Sequence, residues 1–284
     1  MPERLKEAIE KARRSRGANY IDGAPPPEAA IEKAGRIAGA SATSETATDR
    51  AWAELPEVSL DAAAMRKNRI VTSQKTDSSH YNFDVLRTRI LMMFRENGWT
   101  RLGVTSPTLG CGKTVFSANL ALSFSRQPEM RVLLADMDLR SPRIGAYLGL
   151  KEDRSMEWFL SGQTPPSSFL KKANGNLALC INSNIVRHSA EVTQSERTAR
   201  TFAEVHETYR PDIGVYDLPP VLYGDDAFCF LPNLDAVVMV AAAGQSKISE
   251  IDEAEQLMSE NTNFLGIVLN KSREKNVHAE MYGY

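Results

Sequence analysis

From about residue 80 onward the chain switches regularly between two hydrophobic periods. Residues 80–96 set Phe83, Leu86, Ile90, Met93 and Phe94 on one face of a helix. Apolar runs of strand length follow at 101–105, 131–136, 177–181, 213–217, 235–241 and 264–269. Between them, helical patterns fit 113–126, 142–149, 195–209 and 247–260, with a shorter one near 223–230. Strands separated by helices predict an α/β fold, with a mostly parallel sheet covered by helices on both faces. No internal repeat is visible.

The chain ahead of residue 80 reads differently. Residues 3–16 have helical spacing, with Leu5, Ala8, Ile9 and Ala12 on a small stripe. Arg4, Lys6, Lys11, Arg13, Arg14 and Arg16 surround it. Such a basic amphipathic helix docks a partner, touches an anionic membrane, or stays solvated. Segment 17–64 turns to Ala, Gly, Pro, Ser, Thr and Glu, and includes Pro25-Pro26-Pro27. That composition predicts a flexible linker. Trp52 and Leu55 either form a short anchor inside it or pack on the main domain. Order is expected from Met65, with Lys67-Asn68-Arg69-Ile70-Val71 as a short extended lead-in. The main domain would span 65–270, and a tail would run over 271–284.

Composition narrows the classes. Lys plus Arg number 34 and Asp plus Glu 36, a net charge of −2 that gives no argument for nucleic acid as a partner. The three cysteines, Cys111, Cys180 and Cys229, are too sparse for a disulfide framework or a zinc site and suggest a reducing compartment. No apolar run approaches the ~20 residues needed to cross a bilayer, and the first residues lack the apolar stretch of a secretory signal. The expectation is a soluble, cytoplasmic protein that reaches a membrane only through a partner or a surface helix.

Three strand ends carry candidate chemistry. The first is Thr105-Ser-Pro-Thr-Leu-Gly-Cys-Gly-Lys-Thr114, between a strand and a helix. This is the setting of a phosphate-binding loop. Gly110 and Gly112 let the backbone turn its N–H groups toward a phosphate, and the helix N-terminus adds partial positive charge. Thr108, Leu109, Gly110, Cys111, Gly112, Lys113, Thr114 and Val115 are the nucleotide-binding candidates. Lys113 reaches the β- and γ-phosphates and Thr114 offers its hydroxyl to Mg²⁺. Pro107 stands where the strict pattern has its first glycine.

The second is Val132-Leu-Leu-Ala-Asp-Met-Asp-Leu-Arg-Ser-Pro142, a buried strand ending in Asp136 and Asp138 on one face. Carboxylates there point toward the ligand crevice of such sheets. One can hold Mg²⁺ through water while the other orients or deprotonates an attacking hydroxyl. The plainer reading is a capped turn before a helix begun by Pro142. The third is Ile213-Gly-Val-Tyr-Asp-Leu-Pro-Pro220, whose Asp217 suits a further Mg²⁺ ligand. Asp225-Asp226 follows, and a helix N-cap is favoured for at least one of them. Asn270, at the end of the last strand, either reads the nucleotide base or satisfies local backbone.

These motifs, in this order, resemble the bacterial tyrosine kinases of capsular and exopolysaccharide synthesis, over roughly residues 67–284. The resemblance is to the type whose cytoplasmic kinase is separate from its membrane activator, within the P-loop superfamily of MinD and ParA. The three segments look like that family's Walker A, Walker A′ and Walker B. The resemblance implies a P-loop NTPase fold, ATP and Mg²⁺ as cofactors, and autophosphorylation of tyrosines in a C-terminal tail. It also implies a membrane co-polymerase or activator as partner, a cognate tyrosine phosphatase, and a homo-oligomeric ring. Lys113, Asp136 and Asp138 would be catalytic, Thr114, Asp136 and Asp217 would hold the metal, and Tyr282 and Tyr284 would accept phosphate. From Lys271 to Tyr284 is 14 residues, at most roughly 46–50 Å extended, enough to reach a neighbouring P-loop.

The chain also departs from that pattern. The positions that usually carry Glu and two Arg at the ring interface read Tyr81, Asp84 and Arg87. Cys111 stands where the family often has Glu. Two alternatives therefore stand beside the kinase: an assembly ATPase like MinD and ParA, and a non-catalytic ATP-binding scaffold of an export complex. Against the former, the extra early-loop lysine of those proteins would fall at Thr108.

Overall fold

The computed structural model describes residues 46–71, 80–151 and 155–272. The basic helix expected at 3–16, the first part of the linker and the tail tyrosines Tyr282 and Tyr284 lie outside these residues. The centre of the molecule is a seven-stranded sheet: β1 Arg101–Thr105, β2 Val132–Asp136, β3 Lys171–Ala173, β4 Leu177–Cys180, β5 Ile213–Asp217, β6 Ala236–Ala242 and β7 Phe264–Asn270. Its order is β3-β4-β2-β5-β1-β6-β7. Every pairing is parallel except β3 with β4. Among the described residues no helix is long and apolar enough to cross a membrane.

Strand periodicity decides which side each residue serves. Val132 and Leu134 pack into one core with Leu102, Val104, Val215 and Val238. Leu133 and Ala135 point to the other, with Tyr216, Val237 and Met239. The first core is closed by α3 (His80–Asn97) and α4 (Lys113–Ser125), through Ile90, Phe94, Leu120 and Phe124. The second is closed by α9 (Glu196–Tyr209) and α11 (Ile248–Asn261), through Phe202, Val205, Ala254 and Met258. Because β2, β5 and β6 are buried on both faces, they read as continuous apolar runs.

The linker expected to reach residue 64 ends earlier. Helix α1 (Ala47–Glu54) starts with a capping box in which the Thr46 hydroxyl accepts from Asp49 N–H at 3.1 Å and the Asp49 carboxylate accepts from Thr46 N–H at 3.0 Å. Trp52 is buried and donates its indole N–H to the Tyr209 carbonyl at 2.6 Å, and Leu55 is buried in the same core. Of the two readings of this pair, the packed one is observed. Residues 56–58 then run beside β3, with Lys172 N–H donating to Pro56 O and Val58 N–H to Lys172 O, both at 2.8 Å. Helix α2 (Ala62–Lys67) is capped by the Asp61 carboxylate.

Residues 67–71 are not an extended lead-in. Lys67 ends α2, Arg69 turns with φ +60°, and Ile70 drops into the core. Four further helices, α5 (Ile144–Leu148), α6 (Met156–Leu160), α7 (Pro166–Phe169) and α8 (Ser189–Gln194), are all short. Only α5 falls within an expected span, and it starts at Ile144 rather than Pro142. The others hold fewer than two turns each, too few for a helical period to show. Helix α10 (Asp226–Phe230) occupies the short pattern expected near 223–230.

Candidate active site

The parallel order brings the ends of β1, β2 and β5 side by side, with α4 rising from the loop after β1. Residues 106–112 form that loop. Gly110 (φ +78°) and Gly112 (φ +93°) both adopt left-handed backbone. At Gly112 a Cβ would also lie 2.4 Å from the Asn270 side-chain nitrogen. The loop's base is pinned: Val221 N–H donates to Ser106 O at 2.9 Å, and the Ser106 hydroxyl to Thr108 O at 2.8 Å. Cys111 is buried with its Sγ 3.4 Å from the Ser246 hydroxyl, while Leu109 is exposed. Thr108 and Val115 are half-buried at the two ends of the candidate set.

Lys113 folds inward rather than into solvent. Its Nζ is 2.6 Å from Asp138 Oδ2 and 3.7 Å from Asp217 Oδ2, and 3.4 Å from the Thr114 hydroxyl. Burial works against its charge, but Asp217 and then Asp138 outweigh that, so its pKa lies above the ordinary lysine value. Asp136 and Asp217 face each other in register on β2 and β5, and both are fully buried. Burial, with Asp217 beside it, holds Asp136 well above the usual carboxylate range. Burial also raises Asp217, against the pull of Lys113 and of the hydrogen bond from Ser117.

The free oxygens of this cluster are informative. Asp136 Oδ2 accepts from Arg143 N–H at 2.9 Å and Ile144 N–H at 3.0 Å, which caps the start of α5. The plainer reading of Asp136 is thus realised for one oxygen. Its Oδ1 is buried with no protein partner, and so is Asp217 Oδ2 as a hydrogen-bond acceptor. Asp136 Oδ1 has no partner and Asp217 Oδ2 has only the 3.7 Å contact with Lys113, so three acids share one lysine in a buried cluster that a cation would complete. Among the described residues no group of three or more acid, His or Cys side chains forms a ready-made metal cage. Mg²⁺ needs none: it binds through one or two carboxylates, waters and substrate phosphates. Thr114, Asp136 and Asp217 fit that pattern.

Asn270 donates its amide to the Cys111 carbonyl at 2.9 Å, the backbone-satisfying one of its two expected roles. Asp225 precedes α10 without a side-chain cap. Asp226 instead accepts the Ser189 hydroxyl and pairs with Arg140 at 2.9 Å, so neither carboxylate is an N-cap. Arg87 is held within the chain, 3.0 Å from Asp84 and donating to Ser123 O at 2.9 Å, while Asp84 also pairs with Arg126. Ser117, outside the sequence-derived candidates, donates its hydroxyl to Asp217 Oδ1 at 3.0 Å. Its place one helical turn after Lys113 was the available signal. Gln245 and Lys271 at the loop's outer side carried none, because only the sheet order brings them there.

Comparison with known proteins agrees with this architecture. The CobQ/CobB/MinD/ParA nucleotide binding domain family matches residues 102–283. The tyrosine-protein kinase CpsD of Streptococcus pneumoniae is 32% identical over 175 residues, covering 60% of this chain and 75% of that protein. The tyrosine-protein kinase YwqD of Bacillus subtilis is 25% identical over 222 residues, covering 78% and 92%. The kinase domain of Escherichia coli tyrosine kinase ETK superposes with a TM-score of 0.64 at 22% identity, covering 71% of this chain and 80% of that one, a likeness of fold. The chain belongs to the CobQ/CobB/MinD/ParA nucleotide-binding family, on the branch of the bacterial tyrosine-protein kinases.

Proposed function

We propose that the protein is an ATP- and Mg²⁺-dependent tyrosine autokinase that regulates capsule or exopolysaccharide assembly. The observation that carries this is the buried cluster of Lys113, Asp136, Asp138 and Asp217 beneath a glycine loop, with two carboxylate oxygens that accept no hydrogen bond. The loop N–H groups and the α4 terminus hold the phosphates of ATP. Lys113 leaves Asp138 and moves onto the β- and γ-phosphates, which frees Asp138 to accept the proton of the incoming tyrosine hydroxyl. Asp217, steadied by Ser117, and Asp136, steadied by the α5 N–H groups, hold the metal side of the site with Thr114. Mg²⁺ held there would supply charge neutralisation for the phosphates. Tyr282 and Tyr284 of a neighbouring copy are the acceptors, and a membrane activator and a phosphatase set the phosphorylation level.

The test is phosphotyrosine detection after incubation of the full chain and its activator with Mg-ATP. Label on Tyr282 or Tyr284 in wild type and none in Lys113→Met is expected. Label that persists in Lys113→Met, or never appears, overturns the kinase reading. The internal pairing of Arg87 with Asp84, at the positions that depart from the ring-interface pattern, favours a second reading, a non-catalytic ATP-binding scaffold of an export complex. Phosphate release with ATP-driven dimerisation and no phosphotyrosine would instead mark an assembly ATPase.

A further inference from the structure

A loop that turns its N–H groups toward a phosphate turns its carbonyls outward. Here three consecutive outward carbonyls each receive a side-chain donor. Gln245 Nε2 donates to Leu109 O at 3.0 Å, Lys271 Nζ to Gly110 O at 2.6 Å, and Asn270 Nδ2 to Cys111 O at 2.9 Å. The donors are also tied to one another. Lys271 Nζ lies 3.0 Å from Gln245 Oε1, and Lys271 N–H donates to Asn270 Oδ1 at 2.9 Å, which fixes which end of the Asn270 amide faces the loop. Ala243 N–H donating to Asn270 O at 2.8 Å joins the ends of β6 and β7 beneath them.

Two further observations show a built arrangement. Lys271 adopts φ +58°, a left-handed conformation that costs a non-glycine residue free energy, and the turn brings its side chain back over the loop. The donors also fill the space that side chains on the loop would need. A Cβ at Gly110 would sit 3.0 Å from Gln245 Nε2, and one at Gly112 2.4 Å from Asn270 Nδ2.

We infer that Gln245, Asn270 and Lys271 form a brace that positions the phosphate loop from behind and strengthens its N–H groups as phosphate donors. Each carbonyl belongs to the same peptide unit as the next residue's N–H. The brace therefore polarises the N–H groups of Gly110, Cys111 and Gly112. Lys271 supplies the charged member, and a charged donor is roughly twice as strong as a neutral one. These are positioning residues, since they act on the phosphates through the loop backbone. The inference rests on the reading of this loop as a nucleotide site and goes beyond it.

The experiment titrates the full chain with ADP and with AMP in the presence of Mg²⁺, for wild type, Lys271→Met, Lys271→Arg and Gln245→Leu. Amide spectra of the same nucleotide-free proteins are recorded alongside. Lys271→Met should weaken ADP about three- to tenfold while AMP changes by less than about twofold, the scale of one exposed charge-assisted hydrogen bond. Lys271→Arg should restore ADP binding. Without nucleotide, the Cys111 amide proton should move upfield in Lys271→Met, and the Gly110 amide proton in Gln245→Leu. Equal weakening of ADP and AMP, unchanged ADP affinity, or unmoved amide protons would overturn the brace. ADP binding without tyrosine phosphorylation would refute the kinase reading and leave the brace standing. If wild type binds no ADP, the nucleotide reading fails and the amide shifts alone decide.

Discussion

Replacing Lys113 with Met should destabilise the nucleotide-free protein in a pH-dependent way. Lys113 is the counter-ion of a buried acidic cluster, 2.6 Å from Asp138 and 3.7 Å from Asp217, with side chains that are 10%, 7% and 0% exposed. Met nearly matches the volume of Lys, so no large cavity forms. The loss is one partner of a buried pair, which costs roughly 3–5 kcal/mol when the remaining charge stays. The direction with pH follows from the carboxylates. Burial already raises Asp136 and Asp217 in the folded protein, and removing the lysine raises them further. A carboxylate with a higher pKa folded than unfolded binds protons more tightly when folded. Its contribution therefore falls as pH rises from the unfolded value of about 4 through the folded one. Urea unfolding in EDTA should show the full deficit of roughly 3–5 kcal/mol at about pH 8 and a smaller one at about pH 5. A deficit equal at both pH values, or none at the higher, would refute the assignment of Lys113 as counter-ion.

Three other outcomes are expected. His206 is pushed down to about 4 from 6.5, chiefly by burial, and its Nε2 lies 2.7 Å from the Tyr216 hydroxyl. The unfolded chain then binds the extra proton, so stability is lost as pH falls from 6.5 toward 4. The loss approaches about 3 kcal/mol. It has the opposite sign to the Asp136 and Asp217 effect, so it is read as the difference between wild type and His206→Gln in urea melts. Trp52→Ala should cost roughly 3–5 kcal/mol by thermal unfolding, through the emptied site and the unpaired Tyr209 carbonyl. Asp217→Asn should abolish the tightening of ADP binding by Mg²⁺ while leaving ADP binding in EDTA within about threefold of wild type, measured by calorimetry.

Much of this architecture was legible locally. The apolar runs ending in Asp136 and Asp217 announced buried parallel strands, because such strands need no polar face. The pair of glycines before Lys113 announced a phosphate loop, because few other sequences allow that backbone. The ordered segment around Trp52 was harder to see. Its surroundings are poor in apolar residues, and its stability comes from one indole and one leucine reaching a core built mostly by distant strands. The capping signature at Thr46 and Asp49 was the local clue. The short helices between 156 and 194 left no period to find.

The sequence by itself determined the element order, the loop and the acids at the strand ends, since each depends on neighbours a few residues away. Tertiary structure alone decided which charges neutralise which. It set Asp136 against Asp217, folded Lys113 onto Asp138, and turned Asn270 and Lys271 onto the back of the loop. Those pairings depend on the sheet order, which places β5 between β1 and β2 and carries β7 to the far side of β6. Hydrophobic period specifies strands and helices, but the order of strands emerges only when all of them compete to bury both faces of one sheet.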